Sequence, residues 1–531
     1  MRGSAAFRAA VAPGGVLAGP WVRNELWRRA RAVPSLDQRF AESKSLVDAV
    51  SGQNLITFTR ASAGTFTNSA RLIETAVTNL FLQSEDFSTT WTQQGTPTVS
   101  TNTWTAPNGT TTGDTITVGS NSITISQVPT VLSSTSYVVS FYLNTSLTTV
   151  AFIRIRFAKQ AGTDGDVWLN PSTLAFSDYA GGTSGGQAVL VAPNVYRVSV
   201  VIAYGASEGG ENRISIGGTT SSNSSDPDSG EDIALWGAQL EQSSTVTEYI
   251  PTTSVINSAP RFDHDPVTGE SLGLLVEESR SNLLLNSATL ATQNVTVTAV
   301  AHTLSFYGTG TVTLSGTHSA TVVGTGAYPS RATLTFTPTA GTLTVTVSGT
   351  VEYANLEPGS FATSYIPTTT ATVTRSADVA SISGSNFSAW YRQDKETVYF
   401  QGQTTASATN NIYAGFSTDG TFSNSLYFVK NTSNELQATG MNTSLTLGNV
   451  SSNIMLKSAV GYISGTGSAS GSLNGGTVDV DSSTSILSTM TSFVIGSAPW
   501  SPGNSSWNGT IRRLTCWPQR LPNTTLQSIT Q

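Results

Sequence analysis

Two stretches of this chain repeat in the same order, and that repetition limits the possible folds more than any other feature. The first is Asp232-Ile-Ala-Leu-Trp-Gly-Ala-Gln-Leu-Glu241, followed by Glu248-Tyr-Ile-Pro-Thr-Thr253. A shorter version follows as Val351-Glu-Tyr-Ala-Asn-Leu-Glu357 and Ser364-Tyr-Ile-Pro-Thr-Thr369. Each predicts a closing strand, a loop and an extended exit, because a proline drives the residue before it into β or polyproline II geometry. Each ending has a matching beginning, Asn79-Leu-Phe-Leu-Gln-Ser84 and Asn282-Leu-Leu-Leu-Asn-Ser287. Paired start and stop signals mark tandem modules. The two modules differ in length, so they are relatives and not copies.

Between these seams the pattern is β throughout. Tyr137, Val139, Phe141 and Leu143 alternate with other residues, as do Ile153, Ile155 and Phe157 against Arg154 and Arg156. The series Tyr196, Val198, Val200, Ile202 does the same, and Leu334, Phe336, Leu343, Val345 and Val347 continue it in the second module. Period-two alternation over short runs is the mark of half-buried antiparallel strands. With 11% charged and 38% hydrophobic residues, the background is Ser, Thr and Gly on outward faces. The expected fold class is therefore all-β, tandem antiparallel sandwiches of jelly-roll type, with a short, partly helical N-terminal segment. Five segments follow: residues 1–34; 35–78 with 254–281 as a small β unit; 79–253; 282–378; and 379–531.

The first segment stands apart in charge. It holds six arginines against Glu25, a net +5, which leaves −12 for the rest of a chain whose total is −7. An acidic body argues against nucleic acid as a partner. No apolar run approaches the roughly 20 residues of a membrane span. Pro13, Gly14 and Gly15 interrupt any secretory h-region. Trp21 to Ala32 reads as a basic helix with Trp21, Leu26 and Trp27 apolar and Arg28 and Arg29 charged. Exposed tryptophans need cover, so these five residues are expected to dock to a larger assembly, the alternative being a disordered basic tail.

Catalytic chemistry is thinly represented. Three histidines and the single Cys516 make a zinc site or a Cys/His nucleophile unexpected. His264 lies between Asp263 and Asp265, but Asp-Pro-Val-Thr-Gly follows and predicts a turn. Asp164 with Asp166, and Asp226 with Asp228, are the pairs a glycosidase would need, yet Asp-Gly and Asp-Pro-Asp are ordinary turn sequences. Trp500 and Trp507 bracket a Ser/Pro/Gly/Asn loop and are the candidate glycan-stacking rings. The alternative is that both cover the sandwich edge. The chain is expected not to be an enzyme.

The ending Gly509, Ile511, Trp517, Arg520, Leu521 resembles the closing strand and turn of laminin-G/concanavalin-like jelly rolls. It departs at Arg512-Arg513, where acidic residues are frequent, which argues against calcium there. The first module looks like a carbohydrate-binding-module jelly roll, from its Asn-Leu opening and acidic closing strand. That resemblance implies a structural calcium at Glu85 and Asp232, and no other cofactor. The stretches 35–60 and 260–285, the Tyr-Ile-Pro-Thr-Thr seams and the Trp-Pro-Gln-Arg-Leu ending look like bacteriophage virion proteins of the tail-fibre and head-fibre kind. This implies a virion-surface location, other virion proteins and host surface glycan as partners, and a homotrimer. A capsid decoration protein without a receptor, and a secreted glycan-binding protein or depolymerase, are the alternatives.

Overall fold

The computed structural model of the chain describes residues 24–406, 409–464, 468–482 and 489–531. They form an all-β protein of antiparallel sandwiches in two compact units. One unit is Thr59–Thr65 with Thr75–Pro260; the other comprises the chain up to Phe58, Phe66–Glu74 and Arg261–Gln531. The first is thus inserted into the second.

The inserted unit is the larger sandwich, two six-stranded sheets face to face. Ser136–Asn144 lies inside one sheet, between Val195–Ala203 and Asp232–Glu241; Phe152–Ala158 lies inside the other, between Gly165–Leu169 and Arg213–Thr219. Their alternating residues meet as expected: Tyr137, Val139, Phe141 and Leu143 join Ile153, Ile155, Phe157, Val198, Val200 and Ile202 in one core. Tyr196, the second residue of its strand, lies outside this core and stays half-buried.

The matched openings and endings meet at one buried side chain in each module. Asn79 donates through Nδ2 to the carbonyls of Ala238 (3.0 Å) and Ile250 (2.9 Å) and accepts at Oδ1 from the amides of Phe81 and Leu240, both 3.1 Å. Asn282 does the same with Ala354 (2.9 Å), Ile366 (2.8 Å), Leu284 (3.2 Å) and Leu356 (3.1 Å). Neither is exposed. Around them the lattice also repeats. Ser84 meets the Tyr249 hydroxyl as Ser287 meets that of Tyr365, and Thr252 caps the Phe81 carbonyl as Thr368 caps that of Leu284. Gln127 brackets the backbone of Leu82 as Gln293 brackets that of Leu285. Even the closing-strand bulge recurs, with left-handed Gly237 (φ 63°) in one and Tyr353 (φ 47°) in the other.

In the second unit the smaller sandwich pairs a four-stranded with a three-stranded sheet over a core that includes Phe306, Phe336, Leu343 and Val345. The terminal sandwich has eight- and seven-stranded sheets. The pieces expected to make a small β unit of their own instead complete this sandwich. Leu36–Gln38 and Ser271–Val276 both pair with Gly509–Trp517, Arg261–His264 extends that sheet, and Thr57–Thr59 edges the other. A two-stranded hairpin is marginal by itself in water, and these short strands gain cover by joining larger sheets. The last helix, Asn523–Ile529, has Pro522 at its N-cap position, and the Asn523 oxygen accepts from Arg520.

The N-terminal helix is Glu25–Ala30, capped by Asn24. Its apolar side is already covered by the chain itself. Leu26 and Ala30 pack with Tyr399, Trp517, Leu521, Leu526 and Ile529. Trp27 is 6% exposed and donates from Nε1 to Asp37 at 2.9 Å. Arg29 holds Glu25 and the Ser528 carbonyl. The docking role expected for Leu26, Trp27 and Arg29 is therefore corrected, since burial within the chain removes the surface docking needs. Arg28 stays exposed, and Trp21 lies outside the described residues. Asp37 is the hub of this attachment. It also accepts from Arg39, Thr515 and both Nε and Nη2 of Arg513. Arg512 reaches Glu270 at 2.5 Å. Arg512 and Arg513 thus tie Glu270 and Asp37, from segments far away in the chain, to the strand Gly509–Trp517.

The smaller sandwich is clamped where it starts and ends. Arg280–Asn282 pairs with Val373–Arg375, and beside it Glu277 lies between Arg261 (2.8 Å) and Arg375 (3.0 Å). Ser364 donates to both Glu277 oxygens, and Asp378 holds Arg261 and the Glu277 amide. Burial alone would raise the Glu277 carboxyl, but Arg375 and Arg261 outweigh it and hold it at about 2.

Two tests follow from these contacts. Asn79→Ala leaves buried backbone groups unpaired and should lower stability by roughly 3 kcal/mol. Asn79→Asp should cost more, since a carboxylate would face two carbonyl oxygens. Urea unfolding within about 0.5 kcal/mol of wild type for either would refute the clasp. Glu277 is depressed on folding, so its contribution is complete above pH 4.5 and lost as pH falls from there through 2. The loss should be on the order of 3 kcal/mol. Glu277→Gln should be less stable at neutral pH but flatter across that window, and a parallel pH dependence in the variant would contradict the assignment.

Candidate functional site

The two tryptophans proposed for stacking part company. Trp507 is 0% exposed, edge-on to Phe400 at 5.2 Å and Tyr413 at 5.7 Å, so no ligand can reach its face. Its glycan role is corrected to core packing. Trp500 is half-buried, 4.7 Å from Phe422 and 4.8 Å from Tyr427. Of the carboxylate pairs, Asp166 is tied to Arg154 at 2.7 Å and Asp164 to Arg156 at 2.6 Å. Asp228 accepts from the Ala151 amide. Asp265 accepts from the amides of Val267 and Thr268, the expected turn, and His264 Nδ1 lies 3.1 Å from the Thr67 carbonyl. These groups hold the fold.

Glu85 and Asp232 are not brought together. Asp232 begins the closing strand and accepts from Thr117 at 2.6 Å. Glu85 lies against Trp236, four residues further along. At about 3.3 Å per residue that is roughly 13 Å, too far to share one ion. Among the described residues no group of three or more His, Cys, Asp or Glu could hold a metal.

Glu85 belongs to a different arrangement. It lines an open cleft of about 420 Å³ in the larger sandwich, with Asp86, Ser88, Asn102, Thr112, Asp114 and the exit residues Pro251 to Thr253. Two of the three carboxylates are committed to hydrogen bonds within the fold. Asp114 accepts from the amides of Phe87 and Asn102, both at 2.9 Å, and Asp86 accepts from Ser88 and Thr89. Glu85 accepts from the Tyr249 hydroxyl at 3.2 Å. Burial raises its carboxyl above the ordinary value, opposed by hydrogen bonds from Tyr249, Trp236 and Thr112. Behind it Tyr142, Trp236 and Tyr249 pack with centroids 4.7–5.9 Å apart. Trp236 is 3% exposed and fixed by its Nε1 donation to Thr112, so these rings support the wall and do not face a ligand.

The smaller sandwich shows which of these groups the fold requires. Matched through the shared clasp, Ser84 and Tyr249 have counterparts in Ser287 and Tyr365, but Glu85 and Asp86 correspond to Ala288 and Thr289, and Trp236 to Glu352. A half-buried carboxylate that the same clasp does without is not required by that clasp, and a carboxyl raised by burial in a cleft is a binding-site candidate. Sequence reasoning singled out Glu85 for the wrong partner and missed Asp86, Asn102, Thr112 and Asp114. The acidic pair Glu85-Asp86, directly after a repeated motif whose other copy reads Ala-Thr, was the available clue.

No family model and no curated protein matches this sequence. Among solved structures the chain is similar to the CBM40 of a Ruminococcus gnavus IT-sialidase, bound to alpha2,3 sialyllactose. That likeness has 12% identity and TM-score 0.24, over 26% of this chain and 83% of that one. It is similar to the NanB sialidase of Streptococcus pneumoniae at 12% identity and TM-score 0.23, over 28% of this chain and 26% of that one. The LG1-3 region of the laminin alpha2 chain aligns at 8% identity and TM-score 0.13, over 75% of this chain and 95% of that one.

Proposed function

We propose that this chain is a non-enzymatic surface protein of a phage particle that binds host-cell glycan through the Glu85 cleft. The glycan part is carried by one observation, a carboxylate- and hydroxyl-lined cleft that the related smaller sandwich lacks at matching positions. Carboxylates and hydroxyl oxygens accept hydrogen bonds from sugar hydroxyls, and the volume is that of a small-ligand site. Glu85 is the contacting group, since Asp86 already accepts from Ser88 and Thr89 and Asp114 from the amides of Phe87 and Asn102. With three acids and no basic residue in its lining, the cleft favours neutral or amino sugars over acidic ones. The particle-surface part rests on the resemblance of the seams and C-terminal ending to phage fibres.

A glycan array should show binding to neutral or amino sugars. Glu85→Ala should weaken it at least tenfold, about 1.4 kcal/mol, without lowering the melting temperature. Trp500→Ala should leave it unchanged. Binding unaffected by Glu85→Ala, or confined to acidic glycans, would refute the cleft. Release of reducing sugar would overturn the non-enzymatic reading. Deleting residues 1–23, which leaves helix Glu25–Ala30 in place, should abolish incorporation into particles, and normal incorporation would remove the docking role.

A further inference from the structure

The strand Thr183–Ala192 is an outermost strand of its six-stranded sheet, hydrogen-bonded within it only to Val195–Ala203. Its ten residues, Thr-Ser-Gly-Gly-Gln-Ala-Val-Leu-Val-Ala, contain no charge and no proline. Three consecutive apolar residues face solvent: Val189 is 56% exposed, Leu190 59% and Val191 45%. The cause is an overhang. Ala188 still packs on the core, but Leu190 pairs with Tyr196, which the core does not reach. Soluble proteins usually guard such an edge with lysine, proline or a covering loop, because its unpaired amides and carbonyls are a template for another strand. The opposite outer strand, Thr98–Trp104, has Val99 against the core and exposes mostly Thr, Ser and Asn.

We propose that Thr183–Ala192 pairs antiparallel with the same strand of a second copy of this chain, about a two-fold axis. The two six-stranded sheets then become one continuous sheet across the dimer. The register irregularities at Ser184/Gln187 and Leu190/Ala192 leave Gln187–Leu190 as the regular stretch, opposite Tyr196–Ser199, and they centre the pairing there. A second copy fits because antiparallel pairing about a two-fold axis is self-complementary. Centred on Val189, the pairing sets Val189 against Val189 and Ala188 against Leu190 of the other copy, so Val189 and Leu190 lose water on both copies and no like charges oppose each other. A pairing core of about four residues gives a weak, concentration-dependent dimer. This inference is independent of the glycan reading, although a dimer would carry two clefts and gain avidity for a surface.

Sedimentation velocity of the full chain, from about 1 to about 100 µM, should show the mass rising from one chain towards two. Val189→Lys should shift that transition to at least tenfold higher concentration with an unchanged melting curve. In Val189→Cys the new thiol is the exposed one, since Cys516 is buried, and mild oxidation should link two chains. The pairing is overturned by a wild-type monomer at every concentration, which would leave the edge for a different protein. It is also overturned by a threefold mass, as the fibre resemblance implies, by undiminished association of Val189→Lys, or by a dimer that Val189→Cys does not link.

Discussion

A buried asparagine at the mouth of each module is the contact on which the rest of the architecture depends. Where the chain opens a sandwich it crosses the closing strand and the exit, outside any regular ladder. Backbone amides and carbonyls from three segments would be orphaned there, each at a cost comparable to a lost hydrogen bond. One carboxamide donates twice and accepts twice. Asn79 and Asn282 each meet two backbone carbonyls and two amides, Asn282 also meeting the Asn355 Oδ1, and neither is exposed. Aspartate supplies no donors and serine too few groups, so the residue type follows from the geometry.

The clasp brings start and finish of each sandwich side by side. Thr78–Asn79 pairs with Asn257–Ser258, and Arg280–Asn282 with Val373–Arg375. A module whose ends are adjacent can interrupt another domain without separating its strands, as the larger sandwich does. The smaller sandwich adds a second device, the Arg261–Glu277–Arg375 cluster with Asp378. Buried charges are costly unless paired and hydrogen-bonded, and here the Glu277 oxygens are met by two guanidinium groups and Ser364. Such a cluster tolerates little displacement, which suits a position where three strands must keep their register.

The modules were legible because alternation and repeated motifs are local properties of sequence. Tyr137 to Leu143 and Ile153 to Phe157 needed no knowledge of their partners to be placed inward. What depended on distant partners was not legible. Leu36–Gln38 and Ser271–Val276 carry no mark of joining a strand at Gly509–Trp517, hundreds of residues away. Trp27 looked like a tail residue because Asp37 and Arg513 assemble around it only in three dimensions. Trp507 looked like a loop tryptophan because loops that fold back over a core read as exposed. At the cleft, Glu85 was visible as an acid next to a motif, but Asp114 and Asn102 come from strands whose order the sequence does not display.

The two sandwiches also explain how one module acquires a ligand site while the other does not. The clasp fixes Ser84 and Tyr249 through bonds the smaller sandwich repeats at Ser287 and Tyr365. The next residue along is free of that duty. Alanine at 288 keeps the smaller mouth plain. Glutamate at 85 places a carboxyl against a tyrosine hydroxyl already held by Ser84, in a wall of packed rings. Its burial opposes ionisation, a cost the strongly bonded clasp beside it can absorb. Rigid backbone on one side and a half-buried carboxylate on the other is the combination a binding cleft needs, because the polar group is positioned before any ligand arrives. The repeated motif therefore supplies the scaffold, and divergence at its first free position supplies the chemistry.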